Sequence, residues 1–321
     1  MTSCSEDTHA GLRLTDRLPT TGGHELFFAE FGDAETLPVL HLHGGPGSGA
    51  NPGDAHLFDL KRVRLILFDQ RGAGDSTPPG AIGRNNTTEL LGDIERLRLH
   101  LGIDRWLLCG GSWGGTLALE YTKAHPQRVL GLVLRAPFLA RDRDLDWFIG
   151  ANGAAREEPD AYERLCRELG ALPGEDLVAR MHRLVFNPET APAVLATACI
   201  AWSNWERTLM GLAPRPNPDH ATPDRALVQR QRIHVHYCHE HFFLGKDGVL
   251  PNIDLIAGIP CRIVQGEQDR ICLPKASRLL TDHCPSWRLA PVASAGHGLE
   301  HQALRESVKA AIRTLVDEHG T

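Results

Sequence analysis

Three short apolar runs in the first half of the chain each close on a glycine-rich turn: LPVLHLHGGPG, VRLILFDQRGAG and WLLCGGSWGG. Such uninterrupted runs suit strands buried on both faces, because a strand with one wet face alternates polar and apolar residues. Between the second and third lies NTTELLGDIERLRLHLG, in which Leu90, Ile94, Leu97 and Leu101 recur at helical spacing and form one stripe. Asn86 with Glu89 resembles a capping pair, and Gly102 is the expected stop. SWGGTLALEYTKAH reads as a second helix and VLGLVLRA as a further strand. This alternation predicts an α/β fold with a mostly parallel central sheet and helices on both faces.

From about Phe138 to Val249 the rhythm changes. DAYERLCREL, EDLVARMHRLVF and PAVLATACIAWSNWERTLM are periodic helical segments, interrupted by the proline-rich break APRPNPDHATPD. Strand character returns at CRIVQGEQD and WRLAPVASAGH, and HQALRESVKAAIRTLVDEH closes the chain with a stripe of Leu304, Val308, Ile312 and Leu315. The expected organisation is a core formed by residues 1–137 and 250–321, with a helical cap inserted at 138–249.

The 321 residues carry a net charge of −6 with no run of lysines or arginines, which argues against a nucleic-acid surface. No apolar stretch approaches the ~18 residues of a membrane span, and MTSCSEDTHAG has no charged-then-apolar leader. Eight cysteines are scattered without a C-x-x-C pair, and several lie inside apolar runs. A reducing cytoplasm is the expected setting.

Gly110-Gly111-Ser112-Trp113-Gly114 joins a predicted strand to a predicted helix. That is the setting of a nucleophile elbow, whose tightness demands small neighbours around an exposed serine. A serine hydroxyl needs a base held in one tautomer. On an α/β-hydrolase fold the acid and then the histidine follow the serine in the chain. Asp269 follows the strand CRIVQG, and His297 in SAGHG follows the next strand-like run. Glu267 and Asp282 are rivals for the acid. Glu267 is nearer the strand and would point differently, and Asp282 falls in a helical stretch.

Acyl transfer also needs N–H donors for a developing oxyanion. His43-Gly44-Gly45-Pro46-Gly47 follows the first buried strand, so Gly45 and Trp113 are the expected backbone donors. The segment Asp69–Ser76, DQRGAGDS, is read as fixing a turn beside the site. His234, His236, His239 and His241, with Cys238, invite a metal hypothesis. Four histidines spaced this way spread around a helix, and HExxH is absent, so they are read as solvated cap residues, with no metal or other cofactor expected.

Together HGGPGSG, DQRGAGDSTP, NNTTELLGDIERLRLHLGIDRW, GGSWGGTLALEY and AGH closely resemble the prolyl aminopeptidases (proline iminopeptidases), and LRAPFLARDRDLDWF and AWSNWE extend the likeness. The resemblance implies an α/β-hydrolase core with a helical cap. It also implies metal-free serine catalysis that releases an N-terminal residue, typically proline, from short peptides. It assigns Ser112, Asp269 and His297 to a triad and Gly45 and Trp113 to the oxyanion hole. Arg135 and Phe138 match positions lining the proline pocket. In this family cap carboxylates hold the free amine, and Glu206 in SNWE matches one of them. For the second, the family pattern runs roughly R-I-E-N-H-Y-F. Aligned on its last three residues with Tyr237–Phe243, it puts His239 at the glutamate and Glu240 one place along. One residue is a ~100° step on a helix, so Glu240 must reach back to meet the amine.

The leading expectation is therefore an aminopeptidase acting on a peptide or amide with a free N terminus. An esterase or amidase of the same fold is the alternative. A ligand-binding sensor on a hydrolase scaffold is the third reading, and an intact triad argues against it. Ser112 also argues against chemistry that uses an aspartate nucleophile.

Overall fold

A computed structural model describes residues 11–216 and 224–320. Cys4, the N-terminal segment and most of the proline-rich break lie outside the described residues.

The three glycine-ended runs form parallel strands side by side: β3 (Leu37–Leu42), β4 (Val63–Phe68) and β5 (Trp106–Gly111). Two strands flank them on one side, β1 (Leu12–Pro19) and β2 (Glu25–Phe31), paired antiparallel with each other, and β2 pairs antiparallel with β4. On the other side β6 (Val129–Arg135), β7 (Cys261–Gly266) and β8 (Arg288–Val292) continue the parallel set. The order β1-β2-β4-β3-β5-β6-β7-β8 makes an α/β sheet with an antiparallel edge. β5 is buried along its whole length, as its continuous apolar run requires.

Helices cover both faces. α1 (Thr87–His100) starts where Asn86 accepts from the Glu89 amide at 2.9 Å, and Gly102 follows its end at φ 64°. The Glu89 carboxylate does not complete a capping box; it turns to Thr21, Arg84 and Arg71. α2 (Trp113–Ala124) leaves directly from β5. Between β6 and β7 come α3 (Asp142–Ile149), α4 (Pro159–Leu169), α5 (Leu177–Phe186), α6 (Pro192–Leu209) and α7 (Arg225–His239), with no strand among the described residues there. α8 (Pro274–His283) and α9 (Gln302–His319) finish the chain, and α9 buries Leu304, Val308, Ile312 and Leu315.

The DQRGAGDS turn is a buried polar knot. The Arg71 guanidinium donates to both oxygens of Asp93 on α1 at 2.5 and 2.8 Å, with neither side chain exposed. Asp69 accepts from the amides of Ala50 and Asp75 at 2.6 and 2.7 Å. Pairing at both ends offsets the desolvation that an isolated buried charge would suffer.

Candidate active site

Ser112 stands at the junction of β5 and α2 with φ 54° and ψ −123°, a backbone state L residues seldom adopt. The chain tolerates it because its neighbours leave room. A Cβ at Gly114 would collide with the Leu42 carbonyl oxygen, and one at Gly110 with that of Gly114. The elbow thus exists only because both flanking positions lack side chains.

Asp269 and His297 come from the loops after β7 and β8, and both are buried. His297 Nδ1 lies 2.8 Å from Asp269 Oδ2. The other oxygen, Oδ1, accepts from the amides of Ile271 and Cys272, each at 2.9 Å. A carboxylate fixed this way presents one oxygen to the imidazole and holds the ring's orientation. Glu267 and Asp282 are both exposed. The Arg135 guanidinium donates to the His297 carbonyl oxygen and so braces the loop that carries the imidazole. The Ser112 hydroxyl makes no hydrogen bond to His297; its contact is the Cys272 thiol, 3.9 Å away.

Ser112 and His297 share one cavity of about 330 Å³, lined also by Gly45, Phe138, Glu206, Arg230 and His234. The amides of Gly45 and Trp113 make no backbone hydrogen bond among the described residues, so both are available to an incoming oxygen. The Trp113 indole donates to Gln70 Oε1 at 2.9 Å. Gln70 in turn donates its amide nitrogen Nε2 to the His43 carbonyl at 2.9 Å and its backbone N–H to His43 Nε2 at 3.0 Å. Three sequence-distant segments are thereby locked around the serine. Burial pulls the His43 imidazole down to about 4. The Phe138 ring packs edge-on against Phe242, with centroids 4.8 Å apart.

From the helices between β6 and β7, Glu206 of α6 is 7% exposed and lines the same cavity. Arg230 donates to its Oε2 at 2.9 Å, and His234 Nδ1 lies 3.2 Å from Oε1. Burial pushes the His234 imidazole down.

Glu240 is not in this cavity. It ends α7 with its side chain 45% exposed and pairs with the comparably open His239, which stacks on His182. The reason is helical register. Set five residues earlier, the pattern R-I-E-N-H-Y-F meets Arg232, Ile233, His236 and Tyr237 as identities and puts His234 at the glutamate. Those flanking identities were the signal in the sequence. The reading of the histidines as solvated holds for His239 and His241, both exposed, and is corrected for His234 and His236. His234 is 8% exposed and faces Glu206, and His236 Nε2 lies 2.9 Å from the Asn85 carbonyl oxygen. His241 meets Asp142 at 2.7 Å.

Residues 38–299 match the model of the α/β-hydrolase fold family. A probable proline iminopeptidase of Leptolyngbya boryana is 39% identical over 284 residues, covering 88% of each chain. The chain belongs to the proline iminopeptidase family. The proline iminopeptidase of Arabidopsis thaliana is 40% identical, covering 85% of this chain and 72% of its own. Among solved structures, a proline iminopeptidase-related protein of Thermus thermophilus superposes with a TM-score of 0.59 at 22% identity, covering 95% of this chain and 98% of its own. That likeness concerns the fold alone. In this member of the proline iminopeptidase family, Ser112 and His297 line the cavity and Asp269 backs the histidine. Glu206 on α6 is paired there with Arg230 and His234 of α7.

Proposed function

We propose that this chain releases an N-terminal residue, proline or another small one, from short peptides through an acyl-enzyme on Ser112. The observation that carries the reading is one cavity holding Ser112, the imidazole of the His297–Asp269 pair and, on its cap wall, the buried carboxylate of Glu206. The relatives from Leptolyngbya boryana and Arabidopsis thaliana bear the same activity in their names.

In this mechanism the Ser112 hydroxyl turns from Cys272 toward His297 and attacks the carbonyl carbon of the first peptide bond. His297 takes the hydroxyl proton while Asp269 holds its Nδ1–H. The carbonyl oxygen gains charge between the amides of Gly45 and Trp113. His297 then gives the proton to the leaving amine, the C–N bond breaks, and the acyl-enzyme remains. Water, deprotonated by His297, then attacks the ester carbonyl; the bond to the Ser112 oxygen breaks as His297 returns the proton to it, and the N-terminal residue leaves. Glu206 receives the substrate's ammonium, and Phe138 packs against the small side chain or ring. Arg135 positions His297 through its carbonyl. Residues 138–249 act as the cap that closes one end of the cavity, which limits the enzyme to chain ends. The cysteines Cys109, Cys166, Cys199, Cys238, Cys261, Cys272 and Cys284 are free thiols, consistent with work in a reducing cytoplasm.

The test compares proline naphthylamide turnover by the wild type and Ser112→Ala. Saturable turnover lost in the variant supports the reading; equal turnover in both sinks it. A second reading, an esterase or amidase for uncharged substrates, draws on the existing Arg230–Glu206 pair, which partly neutralises the ammonium subsite.

A further inference from the structure

Glu206 brings a buried carboxylate to the cap wall of the cavity, and it does not wait there alone. Arg230 and His234, one turn apart on α7, approach its two oxygens at 2.9 and 3.2 Å. The two contacts differ in kind. Arg230 reaches Glu206 through a single N–H, its Nε is buried without a partner among the described residues, and its side chain is 34% exposed. This is a one-point ion pair, not a two-pronged fork, so it is displaceable at modest cost. His234 lies within ion-pair distance, but its Nδ1 is not aligned as a hydrogen bond. Buried next to Arg230 and the rings of Phe148 and Trp202, it favours its neutral form. The groups facing His234 that carry or can carry charge are Glu206 on α6 and Arg230 on its own helix. The formal charge of the cluster is then zero.

We propose that Arg230 is a built-in competitor for the ammonium of the substrate: it already neutralises Glu206 in the empty cavity and so weakens the hold of that carboxylate on a free N terminus. The inference rests on the reading of Glu206 as the amine-binding residue. It makes Arg230 a specificity-determining residue that lowers affinity for cationic N termini and narrows the preference over uncharged acyl groups. A guanidinium and an ammonium against one carboxylate repel each other, and in a cavity shielded from water that repulsion makes each weaken the binding of the other.

The experiment measures kcat and KM for proline naphthylamide in the wild type, Arg230→Gln and Arg230→Lys. Calorimetric binding of L-prolinamide is measured in parallel on the Ser112→Ala background with the same substitutions. Arg230→Gln is expected to lower both KM and the prolinamide Kd about two- to fivefold, the range set by a partly exposed ion pair. Arg230→Lys, which retains a cation, should fall nearer the wild type. Unchanged or weaker binding in Arg230→Gln, equal effects of Gln and Lys, or no prolinamide binding in any background would overturn the proposal. If the wild type binds prolinamide more weakly than the Gln variant yet turns over no proline naphthylamide, the aminopeptidase reading fails and the competitor role stands.

Discussion

The thiol of Cys272 lies 3.9 Å from the hydroxyl of Ser112, while the amide of the same residue donates to Asp269 at 2.9 Å. Cys272 thus touches the proposed nucleophile with its side chain and the proposed acid with its backbone. Only the backbone contact holds a charge in place. Burial pushes the thiol well above its ordinary range, so it stays protonated and unreactive at neutral pH. Iodoacetamide applied to the native enzyme at a pH of about 7.5, below the ordinary thiol range, should therefore leave activity intact. Inactivation that Cys272→Ala prevents would show the thiol to be reachable and ionised.

Asp269→Asn keeps the shape of the acid but reverses the hydrogen-bond demand on His297 Nδ1 and favours the wrong tautomer. A loss of kcat on the order of 10⁴-fold is expected, with KM little moved. Steady-state kinetics on proline naphthylamide check it; a loss under about tenfold would mean that Asp269 is not the orienting group.

Gly114→Ala tests the elbow through stability. Its Cβ would meet the Leu42 carbonyl, which is backbone and cannot rotate away. Urea denaturation should show a loss of about 1–3 kcal/mol, the usual cost of overpacking. An unchanged midpoint at unchanged slope would show that the β5–α2 junction has slack.

The core was legible because its signals are local. Apolar runs marked β3 to β6, and the order of Ser112, Asp269 and His297 along the chain followed from which strand each succeeds. The antiparallel edge was less visible. In β1 only Leu18 is buried, so LRLTDRLP presents no continuous apolar run, and ELFFAEF in β2 is too short for periodicity to separate strand from helix. Among the helices between β6 and β7 the difficulty was register. On a helix a shift of a few residues redirects a side chain entirely, so anchoring on Phe242 and Phe243 pointed to Glu240, whereas His234 is the residue that faces Glu206. The counter-ion Arg230 carries no motif at all; only the packing of α6 against α7 reveals it.

His43 predicts how stability depends on pH. Its Nε2 accepts from the Gln70 amide and its Nδ1 lies 2.8 Å from the Gly44 carbonyl, an arrangement only the neutral ring supplies. Burial lowers it to about 4 from 6.5. Between those values the unfolded chain binds a proton that the folded one does not, so the stabilisation is complete above pH 6.5 and is lost as pH falls toward about 4. The loss is on the order of 3 kcal/mol across that window. An NMR titration of the His43 ring should find it neutral at a pH of about 5.5, midway through the window; a charged ring at that pH would contradict the assignment.

The most direct test of the central claim is the ratio of kcat/KM for proline naphthylamide to that for N-acetylproline naphthylamide, measured with a short-chain nitrophenyl ester alongside. A ratio well above one, abolished by Ser112→Ala and sharply reduced by Glu206→Gln, is the predicted result. Turnover of the ester with none of the free-amine amide would contradict the aminopeptidase account and leave a hydrolase of another substrate class.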